Sequence, residues 1–188
     1  MIKLPFLLLA YSFAIVACEH STGSPKPRAY PKVEYPDRKY VEYADPGCPF
    51  RFEYPQYAEI KMKNEKCWFD LFMPSFNARL HCSYIPIENR AKFDDLVDDA
   101  FVIAQKINER ANYMEEVQVK NQHGVSGLAL HWKGPAASPV HFFMTDTTQH
   151  FFTAALYFDS KVNPDSLEPI AKFIQKDIDN MIGTFEWK

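Results

Sequence analysis

Hydrophobic and polar positions change their period several times along this chain, and the changes mark its elements. Phe50-Arg51-Phe52-Glu53-Tyr54 alternates apolar with charged residues, the signature of a half-buried strand, and Pro55 stops it. Tyr57 to Met62 reads as a second strand. Cys67 to Met73 is apolar on both faces, as a central strand would be, and Pro74 ends it. Ala78 to Ile85 alternates, with Ala78, Leu80, Cys82 and Tyr84 sharing one face, and stops at Pro86. The period then shifts. Phe93, Leu96, Val97, Ala100, Ala104 and Ile107 fall on one helical stripe, with Asp94, Asp95, Asp98 and Asp99 on the other faces. Asn89 is placed to cap that helix.

Strand patterns return over Glu115–Lys120, Ser126–Trp132, Pro139–Thr145 and His150–Phe158. The breaks between them carry turn chemistry: Gln122-His123-Gly124, Lys133-Gly134-Pro135 and Asp146-Thr147-Thr148. Connections this short predict an antiparallel meander. A last helix is expected after Asn163, capped by Asp165 or Ser166, with Pro169 in its first turn and Gly183 closing it. Its buried stripe is Leu167, Ile170, Ala171, Ile174, Ile178 and Met181; Phe185 and Trp187 then fold back on the body. The predicted class is α+β, a single antiparallel sheet packed with two main helices.

The first residues behave differently. Met1-Ile2-Lys3 supplies one positive charge, Leu4 to Phe13 is apolar, and Ile15-Val16-Ala17-Cys18 reads as a lipobox. The apolar run falls short of the ~20 residues of a membrane span. Cleavage before Cys18 frees its thiol and amine for acylation, and two or more buried chains give stable anchoring. Prolines recur from Pro25 to Pro46, which favours extended backbone and a semi-stiff spacer. The expected layout is a signal peptide over 1–17, a lipid tether over 18–47 and one domain over 48–188. Lys26, Pro27, Arg28 and Tyr30 offer the tether a second duty as a docking strip.

Composition narrows the function. The formal net charge is −3, without the basic stripe of a nucleic-acid binder. Glycine is scarce, and no phosphate-cradling spacing occurs. With Cys18 lipidated, Cys48, Cys67 and Cys82 remain, an odd number for an oxidising compartment. A Cys48–Cys67 bridge would pin the ends of the intervening segment; Cys67–Cys82 is the rival pairing, and Cys82 otherwise reads as a small buried hydrophobe.

His81, His131, His141 and His150 all fall in strand patterns, and no pair has metal-site spacing. A hairpin around Asp146 would bring His141 and His150 toward each other. Ser126 lies outside any GxSxG elbow, so no triad is assembled. No cofactor, metal or catalytic residue is expected. The polar Thr145–His150 loop between aromatic strands is the candidate recognition loop, with Asp146 and His150 its named residues.

Several short motifs then line up in order. Lys26-Pro27-Arg28 with Tyr30, Cys48-Pro49-Phe50, Phe52-Glu53-Tyr54-Pro55 and Cys67-Trp68-Phe69 come first. Thr145-Asp146 with His150, Ala155-Leu156-Tyr157-Phe158, Asp165-Ser166-Leu167 and Thr184-Phe185-Glu186-Trp187-Lys188 follow. This ordered set resembles the gliding-motility lipoprotein family GldD of Bacteroidetes, with Ala29 in place of an expected glycine and Cys82 as an extra cysteine. The resemblance implies a non-enzymatic envelope lipoprotein associated with gliding and type IX protein secretion, whose partners are components of that apparatus. It also favours Cys48 and Cys67 as the disulfide pair. The element order looks like the PsbP-type fold by analogy.

Two other readings stand beside that one. The aromatic sheet face would line a pocket for a lipid or glycan, or His141 or His150 would serve an envelope hydrolase. Glu19-His20-Ser21 carries no acidic surface-export cluster, so the domain is expected to face the periplasm.

Overall fold

The computed structural model describes residues 33–159 and 164–188. In chain order the elements are β1 (Tyr40–Tyr43), β2 (Phe50–Pro55), β3 (Glu59–Met62), β4 (Phe69–Met73), β5 (Ala78–Pro86), α1 (Arg90–Asn108), β6 (Tyr113–Lys120), β7 (Ser126–Lys133), β8 (Val140–Thr145), β9 (His150–Phe158), α2 (Pro164–Thr184) and β10 (Glu186–Trp187). The alternating patterns became strands, and the 3.6-period stripe became α1. The Asn89 side chain accepts from the Lys92 N–H at 2.9 Å, the expected cap.

There are two sheets where a single one was expected. Seven strands run in the order β3-β4-β5-β9-β8-β7-β6, and three more in the order β1-β2-β10. The cause lies in β2. Its neighbours are Tyr40–Tyr43, from the stretch read as tether, and Glu186–Trp187 at the far end of the chain, both antiparallel. With both edges of β2 so paired, Phe50 and Phe52 lie on the large sheet as a second layer, their rings within 6.4 Å of those of Phe69 and Phe152. β4 is interior but one strand from the edge, whereas β9 holds the centre. β6 to β9 form the predicted meander, and β9 closes onto β5 over nine registered pairs from Ala78↔Phe158 to Pro86↔His150.

Each face of the large sheet has its own core. Val140, Phe142, Met144, Leu80, Cys82 and Phe152 face α2 and the small sheet, where they pack with Phe50, Phe52, Ile174, Ile178 and Phe185. Phe143 and Phe151 pack beneath Leu96 and Ala100 of α1, and Leu130 and Trp132 beneath Ala104 and Ile107. Burying an aliphatic or aromatic side chain of this kind contributes about 1.5–3 kcal/mol. Phe50, Phe52, Phe69, Phe152 and Phe185 fill each other's space, so the aromatic face is a packed core and not the lined pocket that its composition allowed.

Three local expectations change. α2 begins at Pro164, which puts Asp165 and Ser166 inside the helix and Pro169 beyond its first turn. Gly183 lies within the helix, which runs to Thr184. Gly127 on β7 is where a glycine is required: a Cβ there would run into the Phe143 carbonyl and the backbone of Met144.

Candidate functional site

The motifs scattered along the sequence meet at one end of the large sheet. Cys48 and Cys67 form a disulfide there, Cα atoms 5.6 Å apart, while Cys82 is a free, buried thiol that burial pushes well above its ordinary pKa. The Cys67–Cys82 alternative therefore falls. Beside the bridge, Trp68 Nε1 donates to the Tyr84 carbonyl at 2.8 Å, and the Lys188 ammonium donates to the carbonyls of Asp45 at 2.8 Å and Cys48 at 3.2 Å. The Tyr84 hydroxyl and His150 Nδ1 are hydrogen-bonded at 2.9 Å. The other side of this patch is Trp187, stacked on the His150 ring with centroids 5.0 Å apart. Trp68, Tyr84, His150 and Trp187 are all half-buried. Such a group gives an amphipathic aromatic surface of the kind enriched at protein interfaces.

Asp146 supplies the turn chemistry expected of Asp146-Thr147-Thr148. Its Oδ1 accepts the backbone N–H groups of Thr148, Gln149 and His150 at 3.0, 2.9 and 2.8 Å. Burial alone would raise its pKa, but these bonds outweigh burial and lower it. The carboxylate holds the turn, in which Thr147 adopts φ 66°; the loop exposes Thr147, Thr148 and Gln149, with His150 half-buried at its end. Lys26, Pro27, Arg28, Tyr30 and the lipid-attachment candidate Cys18 lie outside the described residues.

The hairpin does not join His141 to His150. His141 is registered with Ala155, deep in β8, and its Nε2 contacts the Thr153 hydroxyl at 2.9 Å. That hydroxyl donates to the Phe142 carbonyl, so its oxygen accepts from His141 Nε2–H and fixes the tautomer. At 3% exposure, burial lowers the His141 pKa to about 4. His81 stands across Ala155 from His141 and contacts Asp70 Oδ1 at 2.6 Å, with Lys63 on the same oxygen at 2.8 Å. Burial would raise Asp70, yet these partners lower it. His131 faces α2, its pKa lowered by burial. No group of three or more metal-ligating side chains gathers among the described residues.

One buried carboxylate with several donors is not apparent in the sequence. Asp177 on α2 is 3% exposed and accepts from Arg38 Nε at 3.1 Å, from the Tyr40 hydroxyl at 2.8 Å and from the Tyr57 hydroxyl. Arg38 also stacks on Phe173 at 4.0 Å and donates to its carbonyl at 3.0 Å. The stretch that leads from the N-terminus into the body is thereby clamped on α2. The available signal was an acidic residue interrupting the stripe Ile170, Ile174, Ile178, Met181.

Residues 20–187 match the family described as gliding motility lipoprotein GldD. The chain belongs to that family. GldD membership makes it a lipoprotein of gliding motility, anchored at an envelope membrane. No described helix is long and apolar enough to cross a membrane. No curated protein matches the chain significantly. Among solved structures it is similar to the solution structure of cyanobacterial PsbP from Synechocystis sp. PCC 6803, at 11% identity and TM-score 0.49, covering 81% of this chain and 95% of that one.

Proposed function

We propose that the protein is a non-enzymatic assembly factor of the gliding and type IX secretion machinery, held at the membrane by a lipid on Cys18 and facing the periplasm. The observation that carries this reading is GldD membership over residues 20–187. The Asp177 clamp on Arg38 and Tyr40 supports it, because it couples whatever anchors the N-terminus to the folded body. Confinement at a membrane raises effective concentration, so modest contacts suffice. The half-buried Trp68, Tyr84, His150 and Trp187 patch, together with the Lys26–Tyr30 strip, offers such contacts.

Cross-linking of the natively expressed protein in cells, followed by identification of its neighbours, tests this. Enrichment of gliding or type IX components, reduced by His150→Ala or by Lys26→Glu with Arg28→Glu, is the expected result. A purified complex with one small molecule and no protein neighbour would favour the second reading, a ligand-binding domain. One observation speaks for that alternative: a cavity of about 420 Å³ between the start of α2 and the β6–β8 end of the sheet, bordered by Glu115, His131, Val140, Leu167, Ala171 and Lys172. A mostly apolar space of that size fits a small amphiphile.

A further inference from the structure

Ala100-Phe101-Val102-Ile103-Ala104 is apolar all the way round α1. A helix segment of that kind is ordinarily enclosed. Here Ala100 and Ala104 are buried against the sheet, while Phe101, Val102 and Ile103 keep 38%, 48% and 44% of their surface exposed. At about 100° per residue, Val102 faces directly away from the sheet, with Phe101 and Ile103 on its shoulders. Toward the N-terminus the same outward stripe continues as Asp95, Asp98 and Asp99, all exposed. Asp94 is paired with Arg90 at 3.0 Å, whereas the other aspartates form no ion pair with a described residue. Asp94 with Asp98, and Asp95 with Asp99, are like charges one turn apart, which weakens a helix.

Neither feature helps the domain fold, and one kind of neighbour relieves both: a surface with an apolar hollow bordered by Lys or Arg. Charge argues against other coverings. An anionic lipid surface is repelled by the aspartates. A second copy docking α1 antiparallel on α1 about Val102 would set Asp98 against the exposed Lys106 but Asp95 against Glu109 and Asp99 against Gln105, leaving most of the carboxylates without a cation. We infer that the outward face of α1, Phe101-Val102-Ile103 with the aspartates before it, docks a protein partner whose matching patch is apolar with a basic border. This rests on the assembly reading, which supplies a protein partner, and it adds where that partner sits and what it looks like.

The test places the photo-cross-linker benzoylphenylalanine at Val102 of the full-length protein in cells and sequences the linked peptides. The expected product joins an envelope protein through a peptide carrying Lys or Arg beside apolar residues. Its yield should fall about tenfold with Asp95→Asn, Asp98→Asn and Asp99→Asn combined, a loss of the size one strong charge contact gives. The yield should also fall as salt rises in isolated envelopes. Linkage to lipid, to a second copy or to residues 18–32 of the same chain would overturn the inference, as would a protein cross-link indifferent to the aspartates. Thermal unfolding of these variants should match or slightly exceed the parent, since every altered side chain is exposed and the Asn substitutions relieve like-charge repulsion within α1. A parallel probe at the exposed Lys66, beside the disulfide, separates the two readings. Gliding components captured there, with nothing at position 102, would remove the α1 surface and leave the assembly role standing; silence at both would remove both.

Discussion

Arg38 and Asp177, 139 residues apart in sequence, form an ion pair at 3.1 Å in which the carboxylate is almost wholly buried. The pair matters because Tyr40 and Tyr57 donate to the same carboxylate. Burial and the adjacent carboxylate raise the pKa of both tyrosines, to about 12 for Tyr40 and further for Tyr57, so both remain protonated donors through the physiological range. Asp177→Ala would strand a guanidinium and two hydroxyls. Removing one partner of a buried charged network costs about 3 kcal/mol or more. Urea unfolding should register that loss, whereas Asp179→Ala on the same helix, away from the clamp, should cost far less. Equal costs would show that the network adds nothing specific.

The disulfide gives a second expectation. It closes a loop with a sequence separation of 19, and a cross-link of that span contributes about 3 kcal/mol, chiefly by restricting the unfolded chain. Cys48→Ser with Cys67→Ser should lower stability by that order while keeping the far-ultraviolet circular dichroism. In the parent, Cys82 should resist thiol reagents until denaturant is added, because it is fully enclosed between β4 and β9. Rapid labelling of Cys82 in the native protein would contradict this.

His141 predicts a pH dependence. Its pKa is about 4 when folded against an ordinary 6.5, so between those values the unfolded chain binds the extra proton. Its contribution is complete above pH 6.5 and is lost as pH falls toward 4. The loss is on the order of 3 kcal/mol, from 1.36 kcal/mol per pKa unit. Unfolding free energies measured from pH 7 to 4 should fall more steeply in the parent than in His141→Leu. Parallel curves would mean that His141 is solvated in a way its burial does not suggest. Asp70 and Asp146, both lowered, add stability that is lost only in more acidic solution, in parent and variant alike.

Gly127 gives the sharpest single-residue expectation. Gly127→Ala would drive a Cβ into the Phe143 carbonyl, which a flexible side chain cannot relieve because the obstacle is backbone. Losses of several kcal/mol, with poor expression, are expected from overpacking of this kind. Gly124→Ala meets no neighbour and bears only the strain of its φ of 76°, so it should cost much less. A well-folded Gly127→Ala protein would mean that β7 and β8 separate more easily than their register implies.

Much of this architecture is legible in the chain. Period-two runs at Phe50–Tyr54 and Ala78–Ile85 gave strands, the Asn89 cap and its stripe gave α1, and turn residues marked the meander. What escaped depends on long-range pairing. Alternation in β2 states that one face is buried, but it cannot say that its edges are taken by Tyr40–Tyr43 and Glu186–Trp187, so the second sheet was invisible. The same limit hid Asp177, whose donors come from distant segments. Asp146 was visible as a polar turn residue, yet sequence does not distinguish a carboxylate offered to a partner from one that holds its own loop. His150 was legible as a recognition candidate, and its neighbours Tyr84 and Trp187 became apparent only with β5 and β10 in place.

The most direct measurement compares the parent with a Cys18→Ala protein exported by an ordinary secretory signal, at matched levels, in cells lacking the native copy. A tethered assembly role predicts that the unlipidated form, although folded and secreted, restores little gliding or type IX secretion. Full restoration of both by the soluble form would contradict it.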